Sequence, residues 1–151
     1  MGTSLKLEHQ ICFKHYVISK EIIRHYKPLL EPLGLTYTGY IAMLALWEED
    51  EISVKRLSER LYLDSGTLTP LLKKLEKQGL LVRRRSTKDE RVVDLFLTED
   101  GKNLKRKAKH VPMKLIESIF PGAVDEAAVE AHVATLDQLM ALLVQDRSLR
   151  D

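Results

Sequence analysis

The first third of the chain carries apolar residues at helical spacing. Over 7–33 they alternate with Lys, Arg and Glu, which is typical of a long amphipathic helix. Its apolar residues are Ile11, Val17, Ile18, Ile22, Ile23, Leu29 and Leu30. Pro28 and Pro32 should bend or end this helix, because proline lacks a backbone N–H. Thr36 then caps a second helix that is apolar on nearly every side, so we expect it to be buried.

The middle of the chain shows two short helices followed by two strands. Ser53 precedes a helix over 54–61, and Asp64 caps a helix over 64–78 whose leucines form one stripe and whose lysines face outward. Gly79 follows directly after this helix, at the position where glycine commonly ends one. Segments 80–85 and 91–97 read as strands around the polar turn 86–90, which predicts a hairpin with basic arms.

Two helices are expected after the hairpin. Thr98 caps a charged helix over 99–120, Pro121-Gly122 breaks it, and the last amphipathic helix runs over 125–145. The order of these helices and strands predicts a mainly α chain with a small β-hairpin wing. The central region over 36–98 is then a winged helix-turn-helix, and the helices over 7–35 and 99–147 on either side are dimerisation helices. We expect one domain over 1–151, since single cores split only near ~250 residues.

Charge is concentrated in this predicted central region. Residues 53–109 hold 16 Lys and Arg against 8 Asp and Glu, whereas the remaining residues carry a net charge of −6. Local positive charge is what phosphate neutralisation requires, so the pattern fits a nucleic-acid-binding element. From charge alone, a solvated helical face explains the same pattern equally well.

Composition narrows the remaining classes of protein. The chain is 44% hydrophobic and 30% charged, which is enough apolar surface for a core. No apolar run approaches the ~20 residues of a membrane span and the N-terminus resembles no signal peptide, so we expect a cytoplasmic protein without membrane contact. Cys12 is the only cysteine, which excludes an intrachain disulfide. The histidines show no metal-ligand spacing, and we expect no cofactor.

Several sequence blocks resemble one known family. They are CF at 12–13, YKPLL at 26–30, LTY at 35–37, LWE at 46–48, LYLDSGTLTP at 61–70 and DERVVDLFLTEDG at 89–101. Together they resemble the MarR family of winged-helix transcription regulators, and within it the branch that senses organic hydroperoxides through one cysteine. The chain departs from that branch at Thr38-Gly39 and at Lys14-His15. Thr38-Gly39 lies at the start of the second helix, and Lys14-His15 changes the charge near the cysteine.

The resemblance makes 64–78 the recognition helix of a DNA-binding dimer on a pseudo-palindromic operator. Its expected DNA-contacting residues are Ser65, Gly66, Thr67, Thr69, Lys73 and Lys74. In the wing, we expect Arg91 to enter the minor groove, with the Asp89 carboxylate holding its guanidinium extended. Because strand residues alternate between faces, not all of Arg83, Arg84 and Arg85 reach DNA. Either Arg84 or the pair flanking it points outward, and we select Arg84. The alternatives without DNA contact are that Ser65 caps the helix and that the wing residues form a surface ion pair.

A cysteine on a helix is usually a small buried hydrophobe, and the resemblance changes this interpretation for Cys12. Tyr16 lies one turn after Cys12 and shares its helix face. By resemblance, Tyr26 and Tyr37 of the other subunit complete the site. Phenol O–H donors would favour the thiolate, which is the form that attacks a peroxide. The resulting sulfenic acid would be trapped by a small external thiol or oxidised further.

Three functions therefore remain open from the sequence. The first is a homodimeric repressor released from DNA when Cys12 is oxidised by an organic hydroperoxide, with a small thiol as co-effector. The second is a MarR-type regulator controlled by a small lipophilic or phenolic ligand in the apolar crevice between dimer helices, with Cys12 incidental. The third is a thiol peroxidase. The basic segment counts against the third, because such an enzyme would not need it.

Overall fold

A computed structural model describes residues 5–87, 89–120, 122 and 125–145. Seven α-helices and three strands occur among these residues. They are α1 (Ile11–Leu30), α2 (Tyr37–Glu48), β1 (Ile52–Ser53), α3 (Val54–Leu61), α4 (Ser65–Lys77), β2 (Leu81–Arg85), β3 (Val93–Leu97), α5 (Glu99–Ala108), α6 (Val111–Ile119) and α7 (Glu126–Gln145). Short 3-10 helices span Leu7–His9 and Glu31–Leu33. Contacts divide the chain into units over Met1–Leu115 and Ile116–Asp151.

Side-chain caps begin four of these helices, as the sequence predicts. Each cap oxygen accepts the backbone N–H three residues later, one of the donors that a helix leaves unpaired at its start. The pairs are Thr36 with Gly39 at 3.2 Å, Ser53 with Arg56 at 3.1 Å, Asp64 with Thr67 at 2.8 Å and Thr98 with Gly101 at 3.0 Å. These caps fix where α2, α3, α4 and α5 begin.

The predicted wing hairpin is present and belongs to a three-stranded antiparallel sheet of order β1-β3-β2. Leu81 lies opposite Leu97 and Arg84 opposite Asp94, and Ile52 of β1 pairs with Leu95 of β3. The sequence pattern did not reveal β1, because two residues are too few to show an alternation of period two.

Two predicted helices differ in their bounds. The charged helix over 99–120 is interrupted at Lys109-His110, where Pro112 lacks the N–H that would bond the Ala108 carbonyl. The long helix over 7–33 is a 3-10 turn followed by α1, and Pro28 is accommodated inside α1. Lys88 of the turn, Pro121 of the expected break and residues 146–147 lie outside the described residues.

The core of the first unit is built from one face of each helix and the sheet. Its fully buried large side chains are Tyr40, Leu30, Met43, Leu46, Leu57, Leu68, Leu72, Leu75, Leu81 and Leu95. Three of these leucines come from α4, so that helix has one face sealed and the other in solvent. A buried leucine contributes about 2 kcal/mol, which makes this stripe a principal anchor of α4.

Gly101 allows α5 to begin directly against the turn between α4 and β2. A Cβ atom built on Gly101 would lie 2.0 Å from the Leu80 carbonyl oxygen, so only glycine fits without a backbone shift. The Gly101 carbonyl accepts the Trp47 indole N–H at 2.9 Å, and the Leu80 carbonyl accepts the Thr98 N–H at 3.2 Å. The start of α5 is therefore bonded to both α2 and the base of the wing.

The second unit contains α7, whose apolar side chains are largely exposed. They include Val129, Val133, Met140, Leu142 and Leu143. By length and composition alone, the helix over Glu126–Val144 is apolar enough to cross a membrane. Glu130, His132 and Asp137 interrupt the apolar residues of this helix, so the expectation that no unbroken apolar run approaches ~20 residues holds. Such a helix is also typical of chains that pair through an apolar face.

Glu76 of α4 holds the first strand of the wing. Its carboxylate accepts the Arg83 backbone N–H at 3.0 Å and the Arg83 guanidinium at 2.9 Å and 2.6 Å. These bonds lower the pKa of Glu76 below its ordinary value of 4.5. A bidentate pair of this kind fixes geometry as well as adding charge attraction, so it sets the angle between α4 and β2.

We predict that Glu76→Gln lowers the melting temperature by a few degrees at pH 7. The folded-state pKa is depressed, so the stabilisation is present above about pH 4.5 and is lost as the pH falls through the folded-state value. The difference between the variant and the wild type should therefore shrink towards pH 3 in thermal unfolding. Glu59→Gln, at an exposed carboxylate of α3, serves as the control, and an equal effect of both variants would contradict the prediction.

Candidate DNA interface and thiol site

The outer face of α4 carries all six residues that we predicted to contact DNA from this helix. Ser65, Gly66, Thr67, Thr69, Lys73 and Lys74 are exposed. The opposite face holds the buried leucines of the core. Exposed hydroxyls near the helix start followed by lysines one turn later form a surface on which base edges and then phosphates can be contacted.

The two threonine hydroxyls of this face already donate within the chain. Asp64 accepts both the backbone N–H of Thr67 and its hydroxyl, at 2.8 Å and 3.1 Å, and these bonds lower the pKa of Asp64. The Thr69 hydroxyl donates to the Ser65 carbonyl at 2.7 Å. Each hydroxyl oxygen keeps acceptor capacity, so the two threonines are prepared to accept N–H groups of bases.

Gly66 has a structural explanation besides approach to DNA. A Cβ atom at this position would lie 3.0 Å from Oδ1 of Asp64, the oxygen that caps α4. A larger residue would therefore press on the cap. The sequence analysis assigned Gly66 to DNA contact, and the structure adds protection of the cap as a second role.

The wing tip differs in one contact from the expected arrangement. Asp89 was expected to hold the Arg91 guanidinium, but its Oδ1 accepts the Arg91 backbone N–H at 3.0 Å. Within the described part of the wing, no hydrogen bond or ion pair joins the two side chains. The carboxylate therefore shapes the turn, since Asp bonding to the backbone two residues later stabilises this kind of loop. The Arg91 side chain is exposed.

The three arginines of β2 separate as the strand alternation predicts. Arg83 is bound by Glu76, whereas the guanidinium of Arg84 lies 5.5 Å from the centre of the Phe96 ring on the other face. Arg85 donates to the Glu90 carbonyl at 3.0 Å and supports the turn. Arg84 and Arg85 are both exposed, but the Arg85 guanidinium is bonded within the turn, whereas that of Arg84 contacts the face of an aromatic ring.

The thiol lies in the first turn of α1. Cys12 is exposed, and Tyr16 one turn later is 62% exposed. The same helix exposes Ile11 and Ile18, so the thiol belongs to an apolar surface that the described residues of this unit leave uncovered. Such a surface is typical of an interface with another chain.

The two other predicted tyrosines pack against each other at the far end of α1. The rings of Tyr26 and Tyr37 are 4.9 Å apart, and Tyr40 lies 5.6 Å from Tyr26. Burial raises the pKa of Tyr26, and the Tyr37 and Tyr40 phenols raise it further. Burial and Tyr37 likewise raise the pKa of Tyr40. Tyr26 and Tyr40 are therefore protonated O–H donors at neutral pH.

One chain does not bring the thiol to these tyrosines. Cys12 and Tyr26 lie on the same helix almost four turns apart, about 21 Å at 1.5 Å per residue. A thiol–phenol hydrogen bond needs an approach near 3 Å. The four residues can therefore form one site only if a second copy brings its tyrosines to Cys12.

Sequence reasoning missed two aromatic residues that pack beside the predicted tyrosines. Tyr40 and Trp47, whose rings are 6.5 Å apart, extend the tyrosine cluster along α2. The helical spacing of Tyr37, Tyr40 and Trp47 could have revealed their shared face. The contact of Glu76 with Arg83 was missed as well, because no local pattern predicts it.

A metal site has no support in residues 5–87, 89–120, 122 and 125–145. No group of three or more His, Cys, Asp or Glu side chains in these ranges could hold an ion. The chemistry that the described surface supports is that of a thiol and of charged side chains.

Comparison with known proteins identifies the family. Residues 24–108 match the family described as "Transcriptional regulator SarA/Rot". The organic hydroperoxide resistance transcriptional regulator of Bacillus subtilis is 55% identical over 108 residues, covering 72% of this chain and 74% of that protein. The predicted resemblance to regulators of the organic hydroperoxide type is therefore confirmed.

Solved structures agree with this assignment. Reduced AbfR of Staphylococcus epidermidis bound to DNA has a TM-score of 0.78 and 29% identity, over 91% of this chain and 94% of that one. Overoxidised and disulfide forms of AbfR match with TM-scores of 0.71 and 0.65. A MarR transcriptional regulator from Methanosarcina mazei Go1 has a TM-score of 0.74 and 28% identity, over 87% and 96% of the two chains.

The relatives are regulators, so the thiol peroxidase alternative is wrong. The predicted winged helix-turn-helix is confirmed by the same structures. From its sequence blocks, its sheet and these similarities, the chain belongs to the SarA/Rot family of transcriptional regulators, within the MarR-type winged-helix proteins, and is a DNA-binding regulator.

Proposed function

We propose that this regulator is a cytoplasmic repressor released from DNA when an organic hydroperoxide oxidises Cys12. The observation that carries the proposal is the position of Cys12, exposed on an uncovered apolar surface of α1 beside Tyr16. The Bacillus subtilis relative is named for organic hydroperoxide resistance, and AbfR exists in reduced and oxidised forms. Both similarities support a redox role for the thiol.

The working form in this proposal is a homodimer. Ile11, Val17, Ile18 and Ile23 expose apolar surface on α1, and α7 does so independently along its length. Covering such surface with a second copy removes it from water, at about 25 cal/mol per Å². Pairing the first turn of α1 with the far end of a second copy's α1 would bring Cys12 towards that copy's Tyr26 and Tyr37.

The proposed chemistry balances with one cysteine per chain. The Cys12 thiolate attacks the distal oxygen of the hydroperoxide, the O–O bond breaks, and the products are a cysteine sulfenic acid and an alkoxide that takes up a proton. A small external thiol then displaces water and forms a mixed disulfide. The protonated Tyr26 phenol is suited to donate a hydrogen bond to the thiolate or to the leaving alkoxide oxygen.

DNA binding in the proposal uses α4 and the wing of each subunit. Ser65, Thr67 and Thr69 would reach base edges, with Gly66 at close approach, while Lys73 and Lys74 contact phosphates. Arg84 and Arg91 would reach the backbone and the minor groove, with Asp89 shaping the turn. A twofold dimer presents two such surfaces, which requires a pseudo-palindromic operator.

A specific cavity supports a second candidate, a regulator controlled by a ligand with Cys12 incidental. A space of about 470 Å³ lies between α2 and α5, with Tyr40, Leu44, Trp47 and Ala108 in its lining. Lys105, Arg106 and Lys109 also line it, and its size and mainly apolar surface suit a small lipophilic or phenolic molecule. Its location between helices of one chain differs from the crevice between dimer helices that the sequence suggested.

The first prediction separates the two candidates. Reduced wild type and Cys12→Ser should bind the DNA upstream of their own gene with similar affinity. Adding an organic hydroperoxide with a small thiol should weaken binding by the wild type at least tenfold and leave Cys12→Ser unchanged, as measured by fluorescence anisotropy. Persistent binding by both proteins would remove the redox proposal in favour of the ligand-controlled one.

The second prediction concerns the wing. Arg91→Ala should weaken operator binding by about 1–3 kcal/mol and reduce the slope of log K against log salt concentration by about one, because one phosphate-proximal cation is lost. Arg24→Ala, which removes an exposed arginine of α1, provides the matched control. Unchanged affinity and slope for Arg91→Ala would refute this role of the wing.

The third prediction concerns the dimer. Ile18→Glu places a charge on the exposed apolar face of α1 and should shift the protein towards monomers in sedimentation equilibrium, since burying an unpaired charge is costly. Ser19→Glu adds the same charge at the neighbouring exposed position and should leave more dimer. If both variants remain fully dimeric, α1 does not form the interface.

A further inference from the structure

The chain turns sharply between α1 and α2, over residues 30–37, which we call the corner. Leu30 ends α1, a 3-10 turn spans Glu31–Leu33, and Gly34 has a positive φ of 69°. The Leu30 carbonyl accepts the Leu35 N–H at 3.1 Å and closes the turn. The corner therefore has a fixed shape that a residue other than glycine at position 34 would strain.

A side chain of the recognition helix is bonded to this corner. Nε2 of Gln78, the residue that ends α4, donates to the Gly34 carbonyl at 2.8 Å. The Gln78 backbone N–H is itself bonded to the Lys74 carbonyl at 3.0 Å. Gln78 therefore joins the last turn of α4 to a segment 44 residues earlier in the chain.

Close packing lies beneath this hydrogen bond. A Cβ atom at Gly39 would lie 3.7 Å from both the Leu35 and the Leu75 side chains, so α2 starts directly on α4. Leu75 is 1% exposed. Packing between leucines holds two elements together but is weakly directional, whereas an amide-to-carbonyl bond depends on angle. The Gln78 bond therefore adds a restraint on how α4 is rotated against the corner.

The corner also holds the tyrosine pair. Tyr37 is the first residue of α2, and its ring packs against Tyr26 in the last turns of α1. Gly34, Tyr37 and Lys74 line one cavity of about 400 Å³. The residue that accepts the Gln78 bond thus shares this cavity with a tyrosine of the proposed thiol site and with a lysine of the proposed DNA contact surface.

We infer that Gln78 is a positioning residue that couples the corner to the recognition helix, so that movement of Tyr26 and Tyr37 reorients Lys74 and the residues before it. The inference rests on the proposed function, in which oxidation of Cys12 is the cause of that movement. Gln78 acts at the C-terminal end of α4, about 16 Å along the helix from Thr67. A small rotation there displaces the hydroxyl-bearing start of the helix.

The inference can be tested without oxidation. If the corner affects α4, then DNA binding to α4 must in turn affect the corner. Binding of operator DNA to α4 should slow amide hydrogen exchange in residues 26–40, because coupling between two sites is reciprocal. We compare wild type, Gln78→Met and the control Gln138→Met at saturating DNA. Gln78→Met keeps the side-chain length and removes the donor, and Gln138→Met makes the same change at an exposed position of α7.

We expect DNA to slow exchange in the corner by about fivefold in the wild type and in Gln138→Met, and by less than twofold in Gln78→Met, the effect of losing one hydrogen bond. Equal slowing in all three proteins would overturn the inference. A merely structural role would instead lower the melting temperature of Gln78→Met and leave the DNA-induced slowing intact, which also overturns it.

A second measurement distinguishes a failure of the Gln78 coupling from a failure of the proposed redox function. The operator Kd is measured before and after treatment with hydroperoxide and thiol. A smaller ratio of oxidised to reduced Kd for Gln78→Met than for Gln138→Met supports the coupling, and an equal ratio above one contradicts it. If oxidation leaves the wild-type Kd unchanged, the redox proposal fails, and the exchange experiment decides the role of Gln78 independently.

Discussion

The burial of one face of α4 is the constraint on which the rest of the DNA-binding unit depends. Leu68, Leu72 and Leu75 are almost completely removed from water, so the helix cannot roll without exposing them. Neighbouring elements are attached to the same helix by polar bonds at its edges, through Glu76 to the wing and Gln78 to the corner. Hydrophobic burial thus holds α4 against the core, and the Glu76 and Gln78 contacts fix how the wing and the corner are oriented against it.

The polar face of α4 shows how local folding requirements and recognition share residues. Asp64 caps the helix and engages Thr67, and Gly66 leaves room for that cap. The same stretch presents the hydroxyls that we assign to DNA. A substitution here changes the start of the helix and the recognition surface together, so a loss of binding has to be interpreted beside a measurement of folding.

Much of this architecture was predictable because it is encoded locally. The caps Thr36, Ser53, Asp64 and Thr98 and the leucine stripe of α4 follow from residue type and helical spacing. The exposure of the residues that we propose to contact DNA followed from the same stripe, as its complement. The alternation of β2 likewise separated Arg83 from Arg84 correctly.

What the sequence did not reveal depends on contacts between distant segments. Two residues of β1 show no period, and the break before α6 depends on a proline whose tolerance varies with context, since Pro28 sits within α1 undisturbed. Asp89 had two possible partners within reach, the Arg91 side chain and the Arg91 backbone, and only the folded turn distinguishes them. The Glu76 and Gln78 contacts require the tertiary fold itself.

The contact at Gly101 determines which parts of the unit can move independently. The backbone of α5 touches the backbone beside β2 with no side chain between them, while Trp47 and Thr98 add bonds on either side. No compressible layer separates the two elements, so they behave as one solid piece. The base of the wing therefore has no hinge at this junction, and the paired strands keep a fixed position against α5.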